Sequence, residues 1–273
     1  MSASRVAVVT GSNRGIGLAT VRSLCSKFEG SVYLTSRNED RGQEAVKKIR
    51  DEGLPVKYHQ LDIGSENSIK NFRDSMLDSY GGIDVLINNA GVKSKDTIPI
   101  GIQAKYVLGT NFFSTFNVSN LLLPHIKSNG RVVNIAGFVS LRALKQCSTE
   151  LQEEFRSASI TEDQLIMRMN DYINFAEKGT LKENGLPGSA YEFSKLGVSV
   201  LSRIQARLLS EQGKNNILLN ACCPGWVRTD MGGPKALKSP EEGAETPVYL
   251  ALLPKGTSEP HGQYVSDKKV RRW

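Results

Sequence analysis

Two kinds of segment alternate along the hydrophobic pattern of this chain. Short apolar runs rich in β-branched residues, such as RVAVVTG and SVYLTS, are typical of strands buried on both faces. Between them, apolar residues recur at helical spacing, which predicts helices from Ile16 toward Phe28 and around Gln43 to Asp51. The runs VKYHQLDI, IDVLINNAG, RVVNIAG and NILLNACCPG continue the series. This alternation predicts an α/β fold with a parallel sheet covered by helices on both faces.

Length and composition indicate a single domain over residues 1–273. The chain has 273 residues, 39% of them hydrophobic, which is enough for one sizeable core. It contains no internal repeat and no long Gly/Ser/Pro linker. The amino terminus lacks a long apolar leader, and no apolar stretch reaches the roughly 18 residues that a membrane helix needs. We therefore expect a cytoplasmic protein without membrane association.

Charge and metal-type residues exclude two further classes of function. The net charge is +7, but the only dense basic run is the terminal KKVRRW, which predicts a solvated tail and no nucleic-acid surface. The three histidines lie far apart, and the four cysteines have no zinc-like spacing, so no metal site is expected. The cysteines are predicted to be reduced thiols.

A glycine-rich turn joins the first strand to the first helix. It reads TGSNRGIG, Thr10 to Gly17, and glycines permit both a tight turn and a close approach to a pyrophosphate. The amino terminus of the following helix offers free N–H groups and the positive end of a dipole. The alternative is an ordinary tight turn, because such a motif alone is weak evidence.

The end of the second strand indicates which dinucleotide is preferred. An acidic residue there would accept hydrogen bonds from the ribose 2′-hydroxyl of NAD, but this chain presents Ser36 and Arg37, with Arg41 one turn later. Arg14 in the glycine turn is expected nearby. Arginine binds a 2′-phosphate through charge-assisted contacts, so the sequence predicts NADPH as cofactor. The alternative is three unrelated surface arginines.

The segment YEFSK, Tyr191 to Lys195, is a candidate acid/base pair. Residues four apart on a helix share a face, so the Lys195 ammonium can lie beside the Tyr191 phenol. A neighbouring cation would lower the pKa of the tyrosine from about 10 toward the working range of a general acid.

Five motifs, in this order, resemble the short-chain dehydrogenase/reductase family: TGSNRGIG, NNAG, TNFF, YEFSK and CCPGWVRTDM. The resemblance covers essentially the whole chain, and the carboxyl-terminal part is similar to the NADPH-dependent carbonyl reductases within that family. It implies a doubly wound Rossmann sheet of about seven parallel strands. It also implies hydride transfer from NADPH to a quinone, aldehyde or ketone, with prostaglandins and steroids as further candidate substrates.

The resemblance also implies roles for individual residues. Tyr191 would donate the proton, Lys195 would lower its pKa, and Asn111 would hold a water of the proton relay. Trp226 and Met231 would line the substrate pocket beside position 137. The implied cofactor-binding residues are Gly11, Ser12, Asn13, Arg14, Gly15, Ile16, Gly17, Arg37, Arg41, Asp62, Ile63, Asn89, Gly91, Lys195, Val227 and Thr229.

The chain departs from the family at the end of the strand RVVNIAG. Family members place a serine there whose hydroxyl donates a hydrogen bond to the substrate carbonyl, and that position is Gly137 here, preceded by Ala136. The resemblance therefore implies a slow enzyme, or alternatively an NADPH-binding protein with little catalysis that acts as a sensor or interaction module. Ser140 could replace the missing donor only if the loop takes another path.

Two further expectations concern partners. An insertion at about 141–189 contains a predicted capping box, Thr161 with Gln164, and an apolar helical stripe, so it should pack on the domain. In carbonyl reductases a similar insertion covers helices that form dimer contacts elsewhere in the family, which implies a monomer. Cys223 corresponds to a cysteine near a glutathione-binding surface, so glutathione is a candidate partner; a buried, inert thiol is the alternative.

Overall fold

The sheet of this protein follows the predicted alternation of strands and helices. The computed structural model describes residues 5–214 and 216–273. The strands are β1 Val6–Val9, β2 Ser31–Ser36, β3 Lys57–Gln60, β4 Ile83–Asn88, β5 Ile126–Ile135, β6 Leu218–Cys223, β7 Tyr264–Ser266 and β8 Lys269–Arg271. The α-helices are α1 Gly15–Lys27, α2 Glu39–Asp51, α3 Glu66–Tyr80, α4 Ile100–Leu108, α5 Ser114–Leu122, α6 Val139–Gln146, α7 Thr149–Arg156, α8 Glu162–Lys178, α9 Ala190–Glu211 and α10 Pro240–Ala251.

Strand order places a crevice at the centre of the sheet. The order is β3-β2-β1-β4-β5-β6-β7-β8, so the chain leaves β1 in one direction for β2 and β3 and later returns to the other side with β4. Val9 at the end of β1 pairs with Leu34 of β2 and with Ile87 of β4, both in parallel register. Ligands of such sheets bind beyond the carboxyl ends of the strands where the order reverses.

Alternate side chains of β1 supply the cores on the two faces of the sheet. Ala7 and Val9 pack with Leu24 of α1, while Val6 and Val8 pack with Phe72 of α3. Each of these six side chains is fully buried. The period of two along the strand therefore explains why its apolar run is continuous, because both faces are covered.

The predicted insertion forms helices that pack on α4 and α9. Thr161 and Gln164 make the expected capping box at the start of α8. Tyr172 is buried and stacks on Phe193 of α9 with ring centroids 4.2 Å apart. Glu177 of α8 makes an ion pair with Lys105 of α4. The apolar stripe predicted in the insertion is therefore buried in the hydrophobic core, as expected.

The carboxyl terminus differs from the predicted solvated tail. Lys269–Arg271 form the exposed edge strand β8, antiparallel to β7, so the sheet has eight strands where about seven were expected. The seven other strands are parallel, as predicted. Trp273 is partly buried against the core clusters of α9 and of the β5–β7 strand ends. The charged composition of KKVRRW gives no sign of this edge strand. The segment is held by the indole of Trp273, a single apolar side chain.

Candidate active site

Hydrogen bonds lock the glycine turn after β1 to the segment after β4. Asn89 Nδ2 donates to the carbonyl oxygens of Thr10 and Gly11, both at 3.0 Å. Thr10 Oγ1 accepts from the amides of Asn89 and Ala90 at 3.0 and 3.1 Å. Gly11 has φ +58°, and a Cβ atom there would lie 2.8 Å from the Ala90 Cα. Only glycine fits this close approach of the turn to Ala90, because any side chain at position 11 would collide with it.

The amino terminus of α1 has the features of an anion site. Among the residues that the structure describes, no side chain caps α1 and its first turn contains no acidic residue. Its first N–H groups and the positive end of its dipole are therefore available to a phosphate. The Ser12 hydroxyl is fully buried and donates to the Val9 carbonyl at 2.8 Å, so its side chain stabilises the turn.

Two of the three predicted arginines share one cavity. Arg14 and Arg41 line a space of about 330 Å³ together with Asn13, Glu44 and Lys48. Arg14 also makes an ion pair with Asp230 at 2.6 Å, and both side chains are largely exposed. Arg37 is exposed at the end of β2 and does not line this cavity, but its carbonyl accepts from Gln60 Nε2 at 3.0 Å.

A second cavity lies at the end of β3 and the start of α3. It has about 390 Å³ and is lined by Gln60, Asp62 and Ser68, among other residues. Asp62 Oδ1 accepts from the Gly64 amide at 2.9 Å, which fixes the turn after β3. Ile63 beside it is buried. Asp62 and Ile63, both among the implied cofactor-binding residues, thus lie at the carboxyl edge of the sheet.

Tyr191 and Lys195 lie on the first turns of α9, which begins after the N-cap Ser189. Lys195 Nζ donates to the Ile135 carbonyl at 2.7 Å, and burial lowers the pKa of the lysine to about 8. Burial raises the pKa of the Tyr191 phenol to about 12, and the charges of Cys223 and Glu192 add to this effect. Burial of the phenol thus raises the pKa of Tyr191, opposite to the predicted direction, while the Lys195 ammonium is bonded to a backbone carbonyl at the end of β5.

Asn111 connects the segment after β4 to α9. It lies in a π-helical turn, Gly109–Phe113, between α4 and α5. Its Oδ1 accepts from the Val92 amide at 2.7 Å, and its Nδ2 donates to the Val92 carbonyl and to Ser194 Oγ, both at 2.9 Å. A Cβ on Gly91 would lie 3.2 Å from Asn111 Oδ1 and 3.5 Å from Lys195 Nζ, so these three residues are neighbours. Both amide hydrogens of Asn111 have protein acceptors in this structure. The predicted water-holding role stays a prediction.

The loop after β5 contains the position of the missing serine. Gly137 has φ +129°, and a Cβ there would meet only Val139 Cγ2, at 3.6 Å. The next amide, of Phe138, donates to Cys223 Sγ at 3.2 Å, and the Gly225 amide donates to the same sulfur at 3.3 Å. Cys223 is 3% exposed, which favours the buried-thiol interpretation. The glutathione surface stays a prediction.

Ser140 does not face the vacant donor position. It lies in the first turn of α6, is fully buried, and accepts a hydrogen bond from Trp273 Nε1 at 3.1 Å. The loop path that its use as a substitute donor would require is therefore not the path observed.

The segment after β6 folds back over the glycine turn. A Cβ on Gly15 would lie 3.2 Å from Thr229 Cγ2. Val227 is buried, whereas Trp226 and Met231 remain 45% and 41% exposed, as side chains lining an open pocket would be. Trp226 Nε1 donates to the Gly232 carbonyl at 2.9 Å, which orients the indole.

Sequence reasoning missed several residues of the site. Thr10 connects the two cofactor-side segments, Ser194 positions Asn111, and Glu192 makes an ion pair with Arg142 of α6. Lys48 lies seven residues after Arg41 on one face of α2, so helical periodicity could have identified it as a further cation beside the cavity. The others carry no sequence signal, because their roles depend on contacts between distant segments.

Two kinds of feature are absent from residues 5–214 and 216–273. No helix there has the length and apolar character to cross a membrane. No group of three or more His, Cys, Asp or Glu side chains there could hold a metal ion.

Comparison with known proteins identifies the family of this chain. The family model described as short chain dehydrogenase matches residues 5–149. The chain is 59% identical over 277 residues to carbonyl reductase (NADPH) 1 of Rattus norvegicus, covering 100% of both chains. It is 57% identical over 275 residues to the protein of that name from Homo sapiens, covering 100% of this chain and 99% of the other.

A solved structure extends the similarity to three dimensions. Salutaridine reductase from Papaver somniferum superposes with a TM-score of 0.86 at 28% identity, covering 96% of this chain and 99% of that one. The family match covers more than half of the chain, and the similarity to curated relatives covers all of it. This chain therefore belongs to the short-chain dehydrogenase/reductase family.

Proposed function

We propose that this chain is an NADPH-dependent carbonyl reductase. The observation that carries the proposal is the buried Lys195 ammonium, held at the Ile135 carbonyl beside Gly91 and four residues after Tyr191, within a cleft whose glycine turn fits a pyrophosphate. The names of the relatives in rat and human agree with this activity. NADPH, when bound, supplies the hydride that reduces the carbonyl carbon.

The residues of the chain contribute position and a proton. Tyr191 donates the phenol proton to the carbonyl oxygen, and its high pKa keeps that proton in place at neutral pH. Lys195, held at the Ile135 carbonyl, places a positive charge beside Gly91 on the cofactor side of the site. Asn111 and Ser194 fix the segment after β4 against α9. Trp226 and Met231 offer apolar surface to an aromatic or quinone substrate.

A single-turnover measurement tests the proposal against its alternative. Stoichiometric NADPH is bound to the protein, a quinone is added, and oxidation is followed at the nicotinamide absorbance. We expect one equivalent of NADPH to be consumed. Binding without oxidation would support instead the NADPH-binding module, which the absence of a hydroxyl at Gly137 favours.

NADPH should bind at least tenfold more tightly than NADH. Arg14 and Arg41 share a cavity, and each charge-assisted contact to a 2′-phosphate contributes roughly 1.5–3 kcal/mol. Arg41→Asp should remove this preference, measured as the two dissociation constants by fluorescence titration. Lys47→Asp is the matched control, since Lys47 is exposed on the same helix but does not line the cavity. Equal affinity for the two nucleotides in the unaltered protein would contradict the arginine assignment.

The rate of carbonyl reduction should fall as pH rises through about 8. Above this value the Lys195 ammonium, whose pKa burial lowers to about 8, loses its proton and its charge, while Tyr191 stays protonated up to about 12. In Lys195→Arg the cation persists at high pH, so the falling limb should move above about pH 10 although the absolute rate decreases. Single-turnover rates between neutral and alkaline pH measure both limbs. An identical limb in the two proteins would assign it to another group.

We further propose a cytoplasmic monomer. The packing of α8 on α4 supports the monomer, because it covers a face of α4 that would otherwise be free for a second chain. The four cysteines are all free thiols, which supports a reducing compartment. Light scattering after size exclusion should report about one chain mass of 29.9 kDa at micromolar concentration. A stable dimer would contradict the covering role of the insertion.

A further inference from the structure

Trp273 contacts α6, the helix that follows the Gly137 loop at the end of β5. Its Nε1 donates to Ser140 Oγ at 3.1 Å, and its ring lies 5.4 Å from the guanidinium carbon of Arg203. It packs against the cluster of buried residues at the ends of β5 and β6, which includes Ala136 and Cys223.

The Trp273 contact is one of three that fix the start of α6. On one side of the loop, the Phe138 amide donates to Cys223 Sγ at 3.2 Å. On the other side, Arg142 Nε donates to Glu192 Oε2 at 2.8 Å and so joins α6 to the residue after Tyr191. Ser140 lies between these two points and its hydroxyl is fully buried. Without the indole N–H, that contact to a buried hydroxyl is lost.

This chain depends on such external contacts more than a chain with a serine at the loop would. Gly137 has no side chain, and a Cβ there would meet only one atom group within 4 Å, so the restraint at position 137 comes from its backbone, whose carbonyl accepts from the Ser140 amide of α6 at 3.0 Å. Glycine also has the widest range of backbone conformations. The loop conformation is therefore determined by its neighbours, Cys223 and α6.

We propose that Trp273 is a positioning residue that fixes the first turn of α6, and thereby the Gly137–Phe138 backbone, on the substrate side of Tyr191. The inference rests on the proposed carbonyl reductase function for its kinetic consequence. Phe138 in this loop is 47% exposed, so its ring is accessible to a substrate. NADPH affinity should be independent of Trp273, since the glycine turn and its arginines lie on other segments.

Four variants separate the hydrogen bond from the packing of the ring. Trp273→Ala removes both, Trp273→Phe keeps an aromatic ring without the N–H donor, and Ser140→Ala removes the acceptor. Arg272→Ala is the control, because Arg272 is exposed and adjacent. Hydrogen–deuterium exchange of the 136–146 segment and the KM for a quinone are measured together with the Kd for NADPH.

We expect Trp273→Ala to accelerate exchange in this segment and to raise the quinone KM about tenfold, with the NADPH Kd unchanged within about twofold. Trp273→Phe and Ser140→Ala should give smaller, mutually similar effects, and Arg272→Ala none.

Unchanged exchange and unchanged KM in Trp273→Ala would overturn the proposal, even if the melting temperature fell. Should Trp273→Ala fail to fold, the same two readouts in Trp273→Phe and Ser140→Ala decide. If the unaltered protein does not oxidise NADPH, the proposed function fails while the exchange measurement still decides the role of Trp273.

Discussion

Tyr191→Phe should lower kcat/KM for a quinone or aromatic aldehyde by at least about a thousandfold, while NADPH binds as before. The phenol is the proton donor in the proposed reaction, and general acid catalysis contributes roughly 10² to 10⁴ in rate. Its O–H also donates to the oxygen on which negative charge grows, and removing such a donor typically costs about 10² to 10³ more. Gly137 offers no hydroxyl that could share this task. The phenylalanine ring preserves the packing of Tyr191 against the core cluster of α9.

The matched control for this substitution is Tyr249→Phe. Tyr249 lies on α10, is 38% exposed, and lines a groove beside α1 instead of the catalytic cleft. The same loss of a phenol oxygen should leave kcat/KM within about twofold. Fluorescence titration checks that both variants bind NADPH equally. If Tyr191→Phe kept a tenth or more of the activity, the proton would have to come from another group or from water.

Much of the fold could be predicted because local pattern and tertiary burial agree. The apolar strand β1 is covered on both faces, as the chain VAVV indicates, and the capping box at Thr161 begins α8 where predicted. The glycine turn fits its motif because a Cβ at Gly11 would collide with the segment after β4. These features depend on residues close in sequence or on packing that any sheet of this class requires.

Other features could not be predicted because they depend on long-range contacts. The pKa of Tyr191 depends on its burial and on Cys223, and the Lys195 ammonium is held at the Ile135 carbonyl, 60 residues away in sequence. The terminal Trp273 contacts Ser140, 133 residues away. A basic tail and an anchored edge strand have the same composition, so sequence periodicity could not separate them. Likewise, the positive φ of Gly137 could not be predicted, because it depends on the path of the loop between β5 and α6.

That loop path changes what a serine at position 137 should do. Gly137→Ser has room for its side chain, since a Cβ would meet only Val139 Cγ2 at 3.6 Å. The backbone is less favourable, because φ +129° is a conformation that residues with a side chain rarely adopt, and such strain costs about 1–3 kcal/mol. A preorganised donor to the carbonyl oxygen stabilises the transition state by about 2.7–4 kcal/mol. The donor effect is larger, so we expect a net gain in kcat/KM of about tenfold.

Comparison with Gly137→Ala separates the hydroxyl from the backbone. Both substitutions add a Cβ and impose the same strain, so their melting temperatures should fall by similar amounts and their NADPH affinities should match. Only serine supplies the O–H donor, and kcat/KM of Gly137→Ser should therefore exceed that of Gly137→Ala by about 10². The comparison also distinguishes a slow enzyme from one whose loop is already complete. If the two variants were equally active, a water molecule in the open space at position 137 or another donor would already stabilise the carbonyl oxygen, and the missing hydroxyl would not limit the rate.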